Sequence, residues 1–311
     1  MRGYSRIAAS LIMLALLTPM LCAAQSATPA KPAPAGTKSN VGGFNLDTGD
    51  SKQPMQIDAD QGLEWRQNDK VYIARGNVKV TRGKATVYAD TMIAHYRPKQ
   101  KQPGKPATST DRATDPTGGT EIYNIEADGN VRMVSEGDTI YADRVVYDLD
   151  SATMVATGKH LKFVTPQETV TARDSFEWYD HDQIGVARGD AVATRDKKVL
   201  RADELIAAVE KGPKGDSQLS RIDAQGNVKV TSEDQVGQSD SGVYNADTGI
   251  VTLVGNVRLT HGKDELRGQY AVFDTKKNIS RLLSEPPAAT LASGKPHRVS
   301  GWLSPPESEK K

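Results

Sequence analysis

A short unit that opens with a glycine recurs along this chain of 311 residues. The stretch ARGNVKVTRGKATVYAD, residues 74–90, has a near copy in ADGNVRMVSEGDTIYAD, residues 127–143, and a looser copy in AQGNVKVTSEDQVGQSD, residues 224–240. The glycines that open the units are Gly76, Gly129, Gly158, Gly189, Gly226 and Gly255. They stand 53, 29, 31, 37 and 29 residues apart. Such spacing is typical of a fold assembled from repeats of one supersecondary unit.

Apolar and polar residues alternate after most of these glycines. In the first copy Val78 and Val80 flank Lys79, and the same order returns in three later copies. A period of two predicts a β-strand with one buried face and one wet face. The segments that follow, such as TVYADTMIAHY and TIYADRVVYDL, are rich in the β-branched and aromatic residues that favour strands. Each unit is therefore predicted to supply two strands.

A second marker, an alanine followed by a polar residue, lies about fourteen residues after the matching glycine wherever there is one. Its copies are Ala59-Asp60, Ala89-Asp90, Ala142-Asp143, Ala172-Arg173 and Ala202-Asp203. The last copy falls in RADELIAAVEK, where helical spacing is weak, so a strand is expected there. Bare carboxylates on neighbouring strands would repel each other. We expect the recurring aspartates to face water and to meet a lysine, an arginine or a turn amide.

The connections between predicted strands are short and polar, as in TRGK, SEGD, DLDSA, NADTG, THGKD and DTKKN. Glycine, asparagine and aspartate supply the positive φ angles that tight hairpins need. Consecutive strands are therefore expected to pair antiparallel. Such a stack must close, fold over as a jelly roll or wind as a solenoid, and the uneven unit lengths disfavour a strict solenoid.

The chain begins with the features of a secretory signal peptide. Arg2 and Arg6 precede an apolar run, which ends at small residues before Gln25. Removal of residues 1–24 would remove the single cysteine, Cys22, so the fold is expected to need no disulfide. It would also leave about one net negative charge, because 40 basic and 39 acidic residues include only Arg2 and Arg6 in that segment. General attraction to nucleic acid is not expected.

Composition also predicts the domain boundaries. Residues 25–52 contain almost no large apolar side chains and are expected to be a disordered linker. One β-domain is predicted over residues 53–284, interrupted by a flexible loop at residues 98–119. Residues 285–311 are predicted to form a disordered C-terminal tail.

Motifs for catalysis or metal binding are weak. None of the Gly-Lys pairs continues to serine or threonine as a phosphate-binding loop requires. The five histidines are scattered without metal-ligand spacing. The polar cluster YDHDQ, residues 179–183, fits a solvated hairpin turn better than an acid/base or metal loop. We therefore predict no enzymatic activity, no cofactor and no metal.

The recurring Gly-Asn-Val-Lys/Arg strand and the following Tyr-Ala-Asp resemble the OstA-like repeat of the LptA family of periplasmic lipopolysaccharide transport proteins. The resemblance covers roughly residues 55–283, with Gly158-Lys159-His160 as a departure in which a one-residue bulge would restore alternation at Leu161 and Phe163. It implies an all-β fold, an open, V-shaped antiparallel jelly roll. It also implies a periplasmic bridge that carries lipopolysaccharide from the inner to the outer membrane and so contributes to outer membrane assembly.

In this family the apolar interior holds the acyl chains of lipopolysaccharide, and the sheet ends pair with inner-membrane and outer-membrane components of the same fold or with a second copy. The residues predicted to line the interior are Val78, Val80, Val87, Ile93, Val131, Met133, Ile140, Val146, Leu161, Phe163, Val228, Val230, Val257 and Leu259. Any one of them would also suit the packed core of a β-sandwich. The edge strands are expected around residues 56–65 and 270–283.

Two other functions stay open on the sequence. One is an inner-membrane-anchored relative of the same fold, in which residues 7–24 remain as a signal anchor. The other is a glycan-processing β-solenoid enzyme, which should show paired carboxylates on one face of adjacent repeats. The mature N-terminus distinguishes the first alternative, and the single recurring aspartate site argues against the second.

Overall fold

The computed structural model describes residues 55–99, 119–135, 137–211, 217–233, 235–274, 276–277, 279–284 and 298–302. These residues form eighteen β-strands and no helix, so no described segment is a long apolar helix that could cross a membrane. The predicted signal peptide, the linker and most of the predicted loop and tail lie outside the described residues. The predicted all-β antiparallel fold is confirmed.

The strands follow one another with short connections. Their bounds are β1 Gln56–Asp58, β2 Gly62–Arg66, β3 Val71–Arg82, β4 Ala85–Pro98, β5 Thr120–Ser135, β6 Asp138–Asp148, β7 Thr153–Thr157, β8 Leu161–Val164, β9 Thr169–Ala172, β10 Ser175–Tyr179, β11 Ile184–Arg195, β12 Lys198–Lys211, β13 Ser217–Thr231, β14 Gln235–Asn245, β15 Ile250–His261, β16 Asp264–Asp274, β17 Ile279–Leu283 and β18 Ser300–Trp302. The segment RADELIAAVEK lies in β12, which confirms the strand that the repeat marker predicted.

The described chain divides into two compact units. The N-terminal unit holds the described residues up to Ala193 together with Glu204–Ile206, and the C-terminal unit holds Thr194–Asp203 and the described residues from Ala207 onward. The predicted C-terminal tail contains Ser300–Trp302, which form β18 and pair with β16. The other predicted domain boundaries stay predictions.

Consecutive long strands pair antiparallel within each unit. In the N-terminal unit β1 and β2 share one edge of β3, and the pairing continues from β3 through β4, β5 and β6. Strands β7 and β8 then share one edge of β6. In the C-terminal unit β13 to β16 pair in chain order, and β17 and β18 share the far edge of β16.

Four of the repeat glycines, Gly76, Gly129, Gly226 and Gly255, lie at a β-bulge in the middle of a strand. Gly76 and Asn77 have φ angles of 79° and 44°, and these two residues face Asp90 alone, because Arg75 pairs with Thr91 and Val78 with Ala89. The same register shift occurs after Asp128, Gln225 and Val254. Left-handed backbone of this kind favours glycine and asparagine, which explains the recurring Gly-Asn pair.

The bulge changes which residues of the partner strand are buried. In β6, Ile140 and Ala142 are buried before the bulge, whereas Val145 and Tyr147 are buried after it. Val146 pairs with Glu126 on the opposite face and is half-buried. The prediction that Val146 points inward was wrong, because strict alternation was continued through a position where the pairing shifts by one residue.

The unit that begins at Gly158 carries one more residue than the others. Thr157 pairs with Arg144 and Lys162 with Tyr141, so four residues lie opposite two. The equivalent span after Gly76 has three residues opposite two. Leu161 is 2% exposed, and Phe163 pairs with buried Ile140. The unit thus holds one residue more than the Gly76 unit, and this extra residue brings Leu161 to the buried face as the alternation suggested.

Candidate functional site

An apolar cavity of about 220 Å³ lies in the N-terminal unit. Nineteen described residues from β1 to β6 and the residue before β1 line it, and Glu64 is the one charged residue among them. The aromatic side chains come from Trp65, Tyr72 and Tyr147. A lining that is mostly aliphatic and aromatic suits an apolar chain.

The bulges bring distant parts of each strand to this cavity. Tyr72 and Val80 both line it, although they lie eight residues apart on β3 and on opposite sides of Gly76 and Asn77. A flat strand would separate them by about 26 Å at about 3.3 Å per residue. The strand therefore bends at the bulge, and the buried faces of its two halves converge on one space.

Four of the fourteen predicted interior residues line the N-terminal cavity, namely Val80, Val87, Ile93 and Met133. Ile93 pairs with Glu126, and Glu126 pairs in turn with Val146, so Ile93 and Val146 lie on the same face of the sheet. We therefore place Ile93 at the margin of the cavity. Val78, Val131, Ile140 and Leu161 are buried without lining it. These four residues form packed core next to the cavity.

Sequence patterns missed an aromatic group at the cavity. The indole Nε1 of Trp65 donates a 2.8 Å hydrogen bond to the Tyr96 hydroxyl. The ring of Tyr72 stacks on Trp65, with centroids 5.8 Å apart, and is tilted against the ring of Tyr96 at 4.8 Å. Tyr96 lies on β4, the partner strand on which the bulge shifts the buried positions, and the Gly-Asn pair of β3 was its only signal in the sequence. Tyr72 keeps the alternation of Val78 and Val80 on β3.

A second and smaller cavity, of about 50 Å³, lies in the C-terminal unit. The predicted residues Val228 and Val230 line it, together with Leu200, Tyr244 and other residues of β12 to β15. Lys198 is the one charged residue among the described residues around it. Val257 is 1% exposed in the adjacent core, and Leu259 packs against that core.

The recurring aspartates face water and bind turn amides, as predicted. Asp60 accepts a 2.7 Å hydrogen bond from the Asn77 side chain, and Asp203 accepts one of 2.8 Å from Asn227. Asp143 instead accepts a 2.8 Å bond from a backbone amide, that of Lys159. Two further members of the series, Asp174 and Asp240, were missed, although Asp240 lies fourteen residues after Gly226.

One group of polar residues in the N-terminal unit centres on Glu177, which forms an ion pair with Arg188. Glu177 accepts hydrogen bonds from Arg188 at 2.8 Å, Tyr179 at 2.7 Å and Ser175 at 2.9 Å. Burial raises the pKa of Glu177, but these three bonds outweigh it and hold the pKa below its ordinary value. Such a carboxylate stays ionised and is a poor general acid at neutral pH.

No group of histidine, cysteine, aspartate and glutamate within the described ranges is arranged to hold a metal ion. The cluster YDHDQ lies at the connection of β10 and β11, where Gln183 donates 2.6 Å and 3.0 Å hydrogen bonds to Asp180. It is the hairpin turn that was predicted. The absence of an enzymatic role stays a prediction.

Edge strands in both units carry exposed apolar side chains. Ile57, Leu63 and Trp65 on β1 and β2 are 41%, 65% and 56% exposed. The strands that carry them pair only with β3 among the described residues. At the other end Trp302 of β18 is 79% exposed. Edge strands with unpaired amides and exposed apolar side chains invite a further strand.

Comparison with known proteins identifies the family. The family described as LptA/(LptD N-terminal domain) LPS transport protein matches residues 56–174 and again residues 169–279. The solved structure of LptH, the LptA-homologous periplasmic component of the lipopolysaccharide transport device of Pseudomonas aeruginosa, is 18% identical. Its alignment covers 44% of this chain and 95% of that chain, with a TM-score of 0.37. No curated protein matches. The chain belongs to the LptA/LptD N-terminal domain family of lipopolysaccharide transport proteins.

Proposed function

We propose that this protein is a periplasmic bridge that binds lipopolysaccharide by its acyl chains and carries it from the inner to the outer membrane. The family membership supports a role in lipopolysaccharide transport. The cavity in the N-terminal unit supports acyl-chain binding, because its described lining is apolar apart from Glu64. The protein contributes in this way to outer membrane assembly.

The size of the N-terminal cavity is the observation that carries this proposal. An apolar cavity of about 150 Å³ in another protein stays dry and binds benzene. The cavity of about 220 Å³ has room for a segment of an acyl chain. Burial of a methylene group is worth about 0.8 kcal/mol, so a lipid with several acyl chains needs such a cover in an aqueous compartment.

The exposed edge strands support partners of the same fold. At one end β1 and β2 offer unpaired edges with Ile57, Leu63 and Trp65. Strand addition at these edges would join the protein to inner-membrane and outer-membrane components or to a second copy, head to tail. Transport would then follow a row of apolar cavities and would need no cofactor on this chain.

The structure narrows the edge that the sequence predicted at the C-terminal end. The segment around residues 270–283 contains the last part of β16 and the whole of β17. Val272 lies in β16, between Thr252 on one side and Arg281 on the other, so it is not at an edge. The edge consists of β17 and β18. A sequence pattern for strands does not say which of two successive strands is the last.

Native mass spectrometry of the protein purified from the periplasm tests the proposal. We expect a mass increase equal to one or more lipopolysaccharide molecules, which detergent removes. N-terminal sequencing of the same sample should begin near Gln25. Protein that carries no lipid would contradict lipopolysaccharide binding. Protein that retains Met1 in the membrane fraction would contradict the periplasmic bridge and favour the membrane-anchored alternative.

A further inference from the structure

The cavity in the C-terminal unit differs in chemistry from the cavity in the N-terminal unit. Its described lining is apolar over Leu200, Val228 and Leu253, but Lys198, Ser232 and Gln235 also line it. The larger cavity has Glu64 as its one charged residue. A cation beside an apolar cavity suits a ligand with an apolar chain and an anionic group.

Lys198 begins β12 and is directed differently from its neighbour. Lys197 lies in the turn, its side chain is 79% exposed and it forms an ion pair with Glu233. Lys198 lines the cavity and is half-buried. Burial lowers the pKa of Lys198, and nearby Asp196 and Arg195 act on it in opposite directions. The ammonium group is thus partly removed from water, which strengthens its attraction for an anion.

A buried hydroxyl at the same cavity also needs an explanation. Within the described part of the chain, the Oγ atom of Ser232 is buried and has no hydrogen-bond partner. Ser232 follows β13, and its backbone N–H donates a 2.9 Å bond to Gln235. A buried hydroxyl without a partner costs free energy unless a water or a ligand binds it. Ser232 and Lys198 line the same cavity.

We propose that the cavity in the C-terminal unit binds the phosphate group of an acylated lipid, with Lys198 and Ser232 as its ligands and the apolar lining around the first methylenes of a chain. This assignment rests on the proposed function and adds a specificity site to it. A phosphate oxygen accepts hydrogen bonds from both an ammonium and a hydroxyl group. The apolar lining distinguishes a phospholipid-like ligand from free phosphate.

The test compares dissociation constants for lipid A before and after phosphatase treatment, measured with the full chain at fixed ionic strength. Lys198→Met keeps the apolar stem and removes the charge. We expect it to weaken binding of phosphorylated lipid A about tenfold, which corresponds to about 1.4 kcal/mol. It should leave the dephosphorylated lipid unaffected, and this retained binding also shows that the variant is folded.

Three controls make the result specific. Lys197→Met removes an adjacent exposed charge and should change neither constant. Lys198→Arg keeps the charge and should keep the preference for phosphorylated lipid. Ser232→Ala should weaken binding of the phosphorylated lipid alone, by about threefold to tenfold, because it removes one hydrogen bond to a charged group. Inorganic phosphate at millimolar concentration should not displace the lipid.

The outcomes separate this inference from the proposed function. Equal affinity of the Lys198→Met variant and the unmodified chain for phosphorylated lipid A would overturn the phosphate site and leave acyl-chain binding standing. Displacement by inorganic phosphate would show a site for free phosphate and would overturn the lipid assignment. An unmodified chain that binds neither form of lipid A would overturn both proposals.

Discussion

The side-chain amide of Asn130 donates a 2.8 Å hydrogen bond to the carboxylate of Asp90, forty residues earlier in the chain. Asn130 lies in the bulge of β5, and Asp90 lies on the neighbouring strand β4. The same bond joins Asn77 to Asp60, Asn227 to Asp203 and Asn256 to Asp240. The two markers of the repeat are therefore the two halves of one contact between successive strands.

This contact explains why the residue before the asparagine is glycine. Gly129 has a φ of 80°, and a Cβ atom there would lie 2.8 Å from Cγ of Asp90 and closer to its oxygen. Gly129→Ala should therefore lower stability by about 2 to 3 kcal/mol, from backbone strain and from displacement of the carboxylate. Chemical denaturation measures the change.

Gly262 supplies the control for that substitution. It also has a positive φ, of 56°, but no atom lies within 4 Å of the position of an added Cβ. Gly262→Ala should cost only the left-handed backbone term, about 1 kcal/mol. Equal losses at the two glycines would show that the aspartate does not restrict the bulge.

A double-mutant cycle tests the hydrogen bond itself. Asp90→Ala and Asn130→Ala each remove one partner of the exposed bond. We expect each single variant to lose about 1 kcal/mol and the double variant to lose little more, because both changes remove the same interaction. Additive losses in thermal or urea unfolding would mean that the two side chains do not interact.

The Glu177 network predicts a dependence of stability on pH. Its hydrogen bonds to Arg188, Tyr179 and Ser175 hold the pKa of Glu177 below its ordinary value of 4.5, against the effect of burial. A depressed pKa in the folded state stabilises the protein above pH 4.5, and this contribution is lost as the pH falls through the folded-state pKa. Glu177→Gln should thus lower the melting temperature at pH 7, and the difference should shrink below pH 4.5.

Glu64 provides a matched control for Glu177. The pKa of Glu64 is also lowered, chiefly by its hydrogen bond to Arg66, but both side chains are nearly half exposed. Exposed ion pairs contribute little to stability. Glu64→Gln should leave the melting temperature nearly unchanged at both pH values. A loss as large as that of Glu177→Gln would contradict the role given to the partly buried Glu177 network.

Proline substitution distinguishes an edge strand from an interior strand. Ile57 in β1 pairs only with Val80, whereas Val272 in β16 lies between two paired strands. Ile57→Pro should leave the melting temperature almost unchanged and weaken assembly with a second copy or a partner. Val272→Pro should cost about 3 kcal/mol or more, because it breaks a ladder that is paired on both sides. Analytical ultracentrifugation and circular dichroism separate the two effects.

Local patterns predicted the strands of this protein well, because alternation, turn residues and the two repeat markers all lie within about fifteen residues of one another. They predicted β12 as a strand, the return of Leu161 to the buried face after Gly158 and the exposure of the aspartates. They failed at Val146, since the bulge that shifts its face lies on another strand. Only the pairing between β5 and β6 shows that shift.

The site was predicted less completely than the strands. Val80, Val87 and Met133 line the larger cavity as the alternation suggested, but Val78 and Val131 are packed core. Whether an inward residue meets a neighbour or an open space depends on how two halves of a bent strand converge. Single-strand patterns do not carry that information. The aromatic contacts of Trp65 were missed for the same reason.

Site-specific photo-crosslinking to lipopolysaccharide in cells is the decisive measurement for the N-terminal cavity. A photoreactive residue at Met133 or Val80, which line the cavity, should capture lipopolysaccharide. The same residue at Arg132 or Lys79, one step along each strand, points to the opposite face and should capture little. Strong capture from the cavity face alone is the predicted result. Equal capture from both faces, or none from Met133 and Val80, would contradict acyl-chain binding in this cavity.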